Sequence, residues 1–256
     1  MAESGLSKKK LEGKVVIVTR GASGIGEAAE RVFANHGARM VVIADIQEEL
    51  GQRVAESIGL ERASYIHYDV IVEEQVKAMV ESTVQNHRQL DIMLSNAGVV
   101  NRSEQTIVDL DFSDFDCLFA INVRGMAACI KHAARAMVAG HVRGSIVCTA
   151  SVVSSCGYDR CTDYVMSKHA VVGLVRLASA QLGVHGIRVN CVSPSIMATP
   201  MTCRAFGMDA KQLEETFEPL IHLKGVVLKT SHVVDALLFL ASNDSGFVSG
   251  HNLVVS

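Results

Sequence analysis

The sequence predicts a single α/β domain, a doubly wound parallel sheet with helices on both faces, and three observations predict it. Short apolar runs alternate with longer amphipathic stretches from residue 15 to the end of the chain. The runs consist almost entirely of Val, Ile and Ala without polar alternation, as strands do when both their faces are buried. No internal repeat, Pro-rich linker or low-complexity block interrupts the order, so the 256 residues read as one domain.

The elements follow in sequence. Residues 1–12 are polar and Lys-rich and read as a flexible tail, leaving 13–256 for the domain. Strand 15–19 leads into helix 24–36, and strand 40–44 into helix 47–58. Strands 63–68 and 92–94 flank a helix over 72–87. A long helix over 116–138 precedes strand 145–149, and a second over 162–184 precedes strand 188–192. Residues 196–223 read as a flexible stretch, followed by helix 233–241 and a last strand 252–255. Right-handed crossovers leave few topologies for such a chain, and ligands of these sheets sit beyond the carboxyl ends of the strands.

Composition removes several classes of function. Apolar residues make up 49% and charged residues 20%, with a net charge of −3, so a sizeable core is available and no basic surplus calls for nucleic acid. No apolar run reaches the ~18 residues of a membrane helix, and the first residues lack a secretory hydrophobic stretch, which predicts a cytosolic protein. The 7 cysteines form no CxxC pair and are odd in number, as expected for reduced thiols. The 10 histidines show no ligand spacing, so no metal site is expected.

Chemistry is concentrated in the strand-to-helix loops. Gly21, Ser23, Gly24, Ile25 and Gly26 lie between the first strand and its helix, where glycines let the backbone approach a pyrophosphate at a helix N-terminus. Asp45 ends the second strand, where a carboxylate can accept bonds from the adenosine ribose and repel a 2′-phosphate. That points to NAD rather than NADP; the alternative role for Asp45 is to cap the next helix. Tyr164 and Lys168 are i and i+4 on a helix and project from one face. A phenol beside an ammonium and a positive nicotinamide ring is drawn toward the phenolate, so Tyr164 can serve as general base on an alcohol. Ser151 follows a strand and can bond the substrate oxygen, and Asn122, mid-helix, can link Lys168 to solvent through water.

These residues, with Asp69-Val70, Ser95-Asn96-Ala97-Gly98 and the segment Pro194 to Thr199, fall in one order and spacing, and on them the chain resembles the short-chain dehydrogenase/reductases. The likeness covers about Gly13 to Val255, and segments 11–19, 168–176, 186–194 and 249–255 are similar to those of plant NAD-dependent enzymes that oxidise terpenoid and lignan alcohols. The resemblance implies a Rossmann-type sheet and a catalytic group of Asn122, Ser151, Tyr164 and Lys168. It implies that Asp45 and Ile46 serve the adenosine, that Asp69 and Val70 serve the adenine, and that Asn96, Ala97 and Gly98 lie under the ribose. Met197 and Thr199 would meet the nicotinamide carboxamide, and Lys168 its ribose. A small apolar substrate would be held by Ser151, Val152, Val153, Tyr158, Tyr164 and Met201, with Phe206, Met208 and Phe217 completing the pocket. Family members pair their long helices across two-fold axes, which implies a homodimer or homotetramer, here through Ile121, Ala128, Val171, Leu174 and Leu177.

Three positions depart from the family pattern. Arg20 stands where the first loop glycine belongs, and if that position needs φ > 0 the turn is strained. Ser195 replaces the glycine after Pro194, and no acidic-glycine tail follows Val255, which weakens the case for a tetramer. Arg20 also opens a second reading. Some terpenoid enzymes of this fold close reactive enol aldehydes into iridoid lactols without net redox change, by shaping and stabilising the transition state. Such a cyclase could retain Tyr164 and Lys168 and hold NAD weakly or only as structure. A non-catalytic scaffold would instead predict a damaged Tyr164–Lys168 pair, which the sequence does not have.

Overall fold

The computed structural model describes residues 9–101, 105–221 and 223–256. Seven strands form one parallel sheet in the order β3-β2-β1-β4-β5-β6-β7. They are β1 (Val15–Thr19), β2 (Met40–Asp45), β3 (Ala63–His67), β4 (Ile92–Ser95), β5 (Ser145–Thr149), β6 (Arg188–Pro194) and β7 (Asn252–Val255). The order reverses between β1 and β4, which pair from Val16↔Ile92 to Val18↔Leu94. The crevice at that reversal lies where the loops after β1, β4 and β5 converge.

Alternate residues of the strands supply two cores, one on each face. Val16 and Val18 of β1, with Val41 and Ile43 of β2, pack among α1 (Gly24–Asn35), α2 (Glu48–Ile58) and α9 (Thr230–Ala241). Ile17, Val42 and Ala44 turn the other way, toward α3 (Glu73–His87), α5 (Met126–Ala139) and α6 (Thr162–Leu182). With β1 wholly buried, the run Val-Val-Ile-Val-Thr needs no polar face. Residues 9–12, assigned to the tail from sequence, form a turn in which Leu11 is buried and its N–H bonds His36 O at 2.9 Å. Residues 1–8 lie outside the described residues. Among the described residues no helix is long and apolar enough to cross a membrane.

Two stretches differ from the sequence expectation. The long helix expected over 116–138 is three pieces: α4 (Phe112–Phe119), a π-helical segment Ala120–Gly125, and α5. A π turn accommodates an extra residue, and such turns gather at functional positions; this one contains Asn122. Gly125 closes it against the strand-loop side, since a Cβ there would collide with Val70 Cγ2. Residues 196–223, expected to be a flexible stretch, carry two capped helices, α7 (Pro200–Phe206) and α8 (Ala210–Phe217); residue 222 lies outside the described residues. Thr199 and Thr202 cap α7 reciprocally, with Pro200 in its first turn, and Asp209 and Gln212 cap α8 in the same way.

Candidate active site

The first βα loop turns on two left-handed residues, Arg20 at φ 53° and Gly24 at φ 64°. Glycine adopts that region freely, whereas an arginine pays about 1 kcal/mol or more in steric strain. The sequence condition for strain at Arg20 is therefore met. Gly26 cannot carry a side chain, because a Cβ would collide with Arg20 O. Ser23 precedes α1 without a side-chain cap bond, and Ala22 N–H bonds Asp45 Oδ2 at 3.0 Å. Asp45 Oδ1 accepts from Gln47 N at 3.0 Å and from Gln47 Nε2 at 3.2 Å, so the buried carboxylate braces both the loop and the start of α2.

Beneath Gly21 lies Glu30, which is fully buried and has no hydrogen-bond partner among the described residues for either carboxyl oxygen. Burial, then Glu27 and Asp45, push its carboxyl well above the usual carboxylate range, while Arg31 pulls weakly the other way. Nothing in the sequence pattern of α1 singles Glu30 out.

Across the crevice, Asn96 joins three strand ends. Its N–H bonds Thr19 Oγ1 at 2.8 Å, its Nδ2 bonds Thr19 O at 3.2 Å, and its Oδ1 accepts from Thr149 Oγ1 at 2.9 Å. Asn122 is fully buried. It pairs with Val99 through both backbone groups, at 2.8 and 2.9 Å, and donates to Ser167 Oγ at 3.1 Å. Lys168 Nζ donates to Thr149 O at 2.9 Å and stands 5.5 Å from the centroid of the Tyr164 ring. Asp163, buried at the head of α6, binds Asn101 Nδ2 and the Tyr164 N–H.

A cavity of about 370 Å³ collects several of these groups. Ser23, Gly24, Ile25, Asn96 and Gly98 border it at the loop end, and Ser151, Tyr164 and Lys168 at the other. Val152, Val153, Tyr158, Met197, Thr199 and Met201 also line it, together with Phe206 and Phe217; Met208, expected there from sequence, does not. Gly21, Gly26, Asp45, Ile46, Asp69, Val70, Ala97 and Asn122 are not in the lining. Ile46 is exposed and Val70 and Ala97 are buried, while Asp69 Oδ1 accepts from Ile71 N–H at 3.1 Å. Cys156, Cys161 and Ile196 fall within the stretches 152–163 and 196–223 expected to form the pocket, whereas sequence reasoning missed Val100 and Val165 in the wall. No motif marks these two; they line it only because they sit beside Gly98 and Tyr164.

Burial pushes the Tyr164 phenol up, opposed by a hydrogen bond from Ser151 and by the Arg20 charge. Among the chain's own groups desolvation outweighs the Ser151 bond and the Arg20 charge, whereas the downward pull expected from sequence included a positive nicotinamide ring. The same burial brings Lys168 down to about 8. Arg20 reaches from its strained turn into the cavity, where Nη1 donates to Gly98 O and lies 3.0 Å from Met201 Sδ. It therefore stands between the loop end and the apolar end.

The family described as enoyl-(acyl carrier protein) reductase matches residues 21–256. A solved short-chain type dehydrogenase/reductase from Mycobacterium marinum superposes with a TM-score of 0.89 at 30% identity, over 98% of this chain and 97% of that one. The chain belongs to the short-chain dehydrogenase/reductase family. Within that family it is similar to a (+)-cis,trans-nepetalactol synthase of Nepeta racemosa, 56% identical over 97% of this chain and 94% of the relative. It is also similar to a mitochondrial (-)-isopiperitenol/(-)-carveol dehydrogenase of Mentha piperita, 51% identical over 97% and 94%. The chain is thus an enzyme of this short-chain dehydrogenase/reductase family, in the company of terpenoid dehydrogenases and nepetalactol synthases.

Proposed function

We propose that the chain oxidises a small apolar, terpenoid-like secondary alcohol or lactol by hydride transfer to NAD. The observation that carries this reading is that Ser151, Tyr164 and Lys168 border one apolar cavity whose other end is the glycine loop. The loop fits a dinucleotide by its own geometry: Gly26 leaves no room for a Cβ, Gly24 holds a left-handed turn, and α1 begins at an uncapped Ser23. Gly21, Ser23, Gly24, Ile25 and Gly26 would hold the pyrophosphate, with Asp45, Ile46, Asp69, Val70, Asn96, Ala97 and Gly98 around the adenosine. Met197, Thr199 and Lys168 would hold the nicotinamide half. Bound there, NAD supplies the hydride acceptor.

The chain's own residues supply the proton chemistry. Ser151 Oγ donates a hydrogen bond to the substrate oxygen, and Tyr164 Oη takes the hydroxyl proton as general base. Lys168, fixed on Thr149 O, favours the phenolate through space. Asn122 holds the segment after β4 against α6. Because burial raises Tyr164, oxidation should speed up as pH rises from neutral. Asp45, as a buried carboxylate under the loop, disfavours a 2′-phosphate, so NAD should bind more tightly than NADP. Tighter NADP binding in a calorimetric comparison overturns that choice.

A second reading is favoured by Arg20. Its guanidinium crosses the cleft to Gly98 O, where a dinucleotide must share space with it. A redox-neutral cyclase, closing an enol aldehyde to a lactol, would tolerate that obstruction. Both kinds of enzyme occur among the relatives. Product analysis of apolar alcohols and enol aldehydes with and without NAD separates the two: nicotinamide reduction coupled to alcohol loss supports the dehydrogenase, and cyclised product indifferent to NAD supports the cyclase.

The enzyme should assemble as a homodimer or homotetramer and work in the cytosol. Of the apolar stripe expected from sequence, Ala128 and Val171 are consumed by the chain's own core, while Leu177 stays 56% exposed. A monomer at micromolar concentration in sedimentation contradicts the assembly.

A further inference from the structure

The cavity holds two cationic side chains, Arg20 and Lys168, and no acidic side chain among the described residues that line it. Ser256 also borders it and has a partner of its own. Lys168 is committed to Thr149 O. Arg20 is not matched in the same way. Among the described residues it forms no ion pair, and its hydrogen bonds go from one nitrogen, Nη1, to Gly98 O and Met201 Sδ. A guanidinium carries five N–H donors in a planar fork suited to a carboxylate. The acid that acts on it through space, Asp45, is already bonded to Ala22 and Gln47, and Arg204 adds a further positive charge. A partly buried cation with no counter-charge in direct contact among the described residues is costly to the free enzyme, and an anionic ligand on its fork would lower that cost.

The surroundings specify the rest of the ligand. Met201, which touches the guanidinium, belongs to the apolar half of the cavity with Val152, Val153, Phe206 and Phe217. We propose that Arg20 is an anion site at the junction of the two ends of the cleft, and that the cavity binds a branched apolar monocarboxylate with its charged end on the Arg20 fork and its hydrocarbon against this wall. The proposal rests on the reading of the cavity as a pocket for small terpenoid-like molecules. It does not depend on which reaction the enzyme performs.

The test is calorimetric titration of the full chain, without nucleotide, against citronellate, citronellol and inorganic pyrophosphate, in wild type, Arg20→Gly and Arg20→Gln. Arg20→Gly suits the left-handed turn, so folding is preserved while the cation is lost. Wild type should bind the carboxylate roughly tenfold more tightly than the alcohol, the scale of one charge-assisted hydrogen bond, and both variants should lose that preference. Equal affinity in wild type overturns the proposal. So does a preference that survives Arg20→Gly, which would move the anion to Lys168. Arg20-dependent binding of pyrophosphate alone also overturns it, since the site would then serve the dinucleotide. Oxidation of carveol, a secondary terpenoid alcohol, with NAD is followed in parallel. Absent turnover with an intact carboxylate preference refutes the dehydrogenase reading alone, and turnover without that preference refutes the anion site alone.

Discussion

The two ends of the cleft treat buried polar groups in opposite ways. Around Lys168 the polar side chains are tied to one another or to backbone: Lys168 to Thr149, Asn122 to Val99 and Ser167, Asp163 to Asn101. Around the glycine loop, Arg20 occupies a left-handed turn that glycine would hold without strain, and Glu30 lies under Gly21 with neither oxygen bonded among the described residues. Fully partnered networks rigidify, whereas an unpartnered buried group is a standing penalty. The contrast teaches that this chain keeps its Ser151–Tyr164–Lys168 corner over-determined and lets its glycine loop bear local cost.

Substitutions on each side can break or sharpen that contrast. Tyr164→Phe should lower alcohol oxidation at saturating NAD by about 10²–10⁴-fold with the fold intact, the range for losing a general base. Near-normal turnover by steady-state kinetics would show that the corner is built for something else. Asn122→Ala strips partners from the N–H and C=O of Val99 and from Ser167. It should cost about 2–3 kcal/mol in chemical denaturation; an unchanged unfolding midpoint would mean that the network is decorative.

On the loop side the signs invert. Glu30→Ala should stabilise by about 1 kcal/mol or more near neutrality, since it removes an unpartnered buried acid. The folded carboxyl titrates well above its unfolded value. Its favourable, neutral state is therefore fully present below the unfolded pKa and is lost as pH rises through the folded one. The gap between variant and wild type in thermal melts should widen as pH rises above the ordinary carboxylate range; a constant gap would mean that Glu30 does not titrate. Smallest of all, Arg20→Gly should gain about 1 kcal/mol by relieving the turn at φ 53°, and a loss of stability instead would mean that the contacts to Gly98 and Met201 outweigh the strain.

Legibility in the sequence followed the same divide. The strands were readable because their centres are apolar, most plainly in β1 and β2, and the corner because Ser151, Tyr164 and Lys168 sit at fixed spacing among such runs. Arg20 was readable as a misfit in a glycine loop. Glu30 was not, because on paper it belongs to the polar series Glu27, Glu30, Arg31, and only the packing of α1 on β2 shows that Glu30 faces inward while Glu27 and Arg31 pair at 2.9 Å. Helices α7 and α8 are too short for apolar periodicity to declare them, although their caps, Thr199 with Thr202 and Asp209 with Gln212, were written plainly. The π segment left no periodic trace at all, since six residues cannot distinguish one helical pitch from another.

That segment also fixes the length of the chain at one point. Each α-helical residue turns the chain by about 100°, so deleting one residue between 120 and 125 would swing everything after it by that angle. Cys129, Ala133 and Met137, which α5 buries, would leave the core, or Asn122 would leave Val99; the two cannot both stay in phase with one residue fewer. Loops elsewhere can lose a residue with local damage. Here the count itself is what keeps the loop after β4 and the packed face of the next helix in step, so a frame-preserving deletion in 120–125 should be as disabling as the loss of a side chain that touches the substrate.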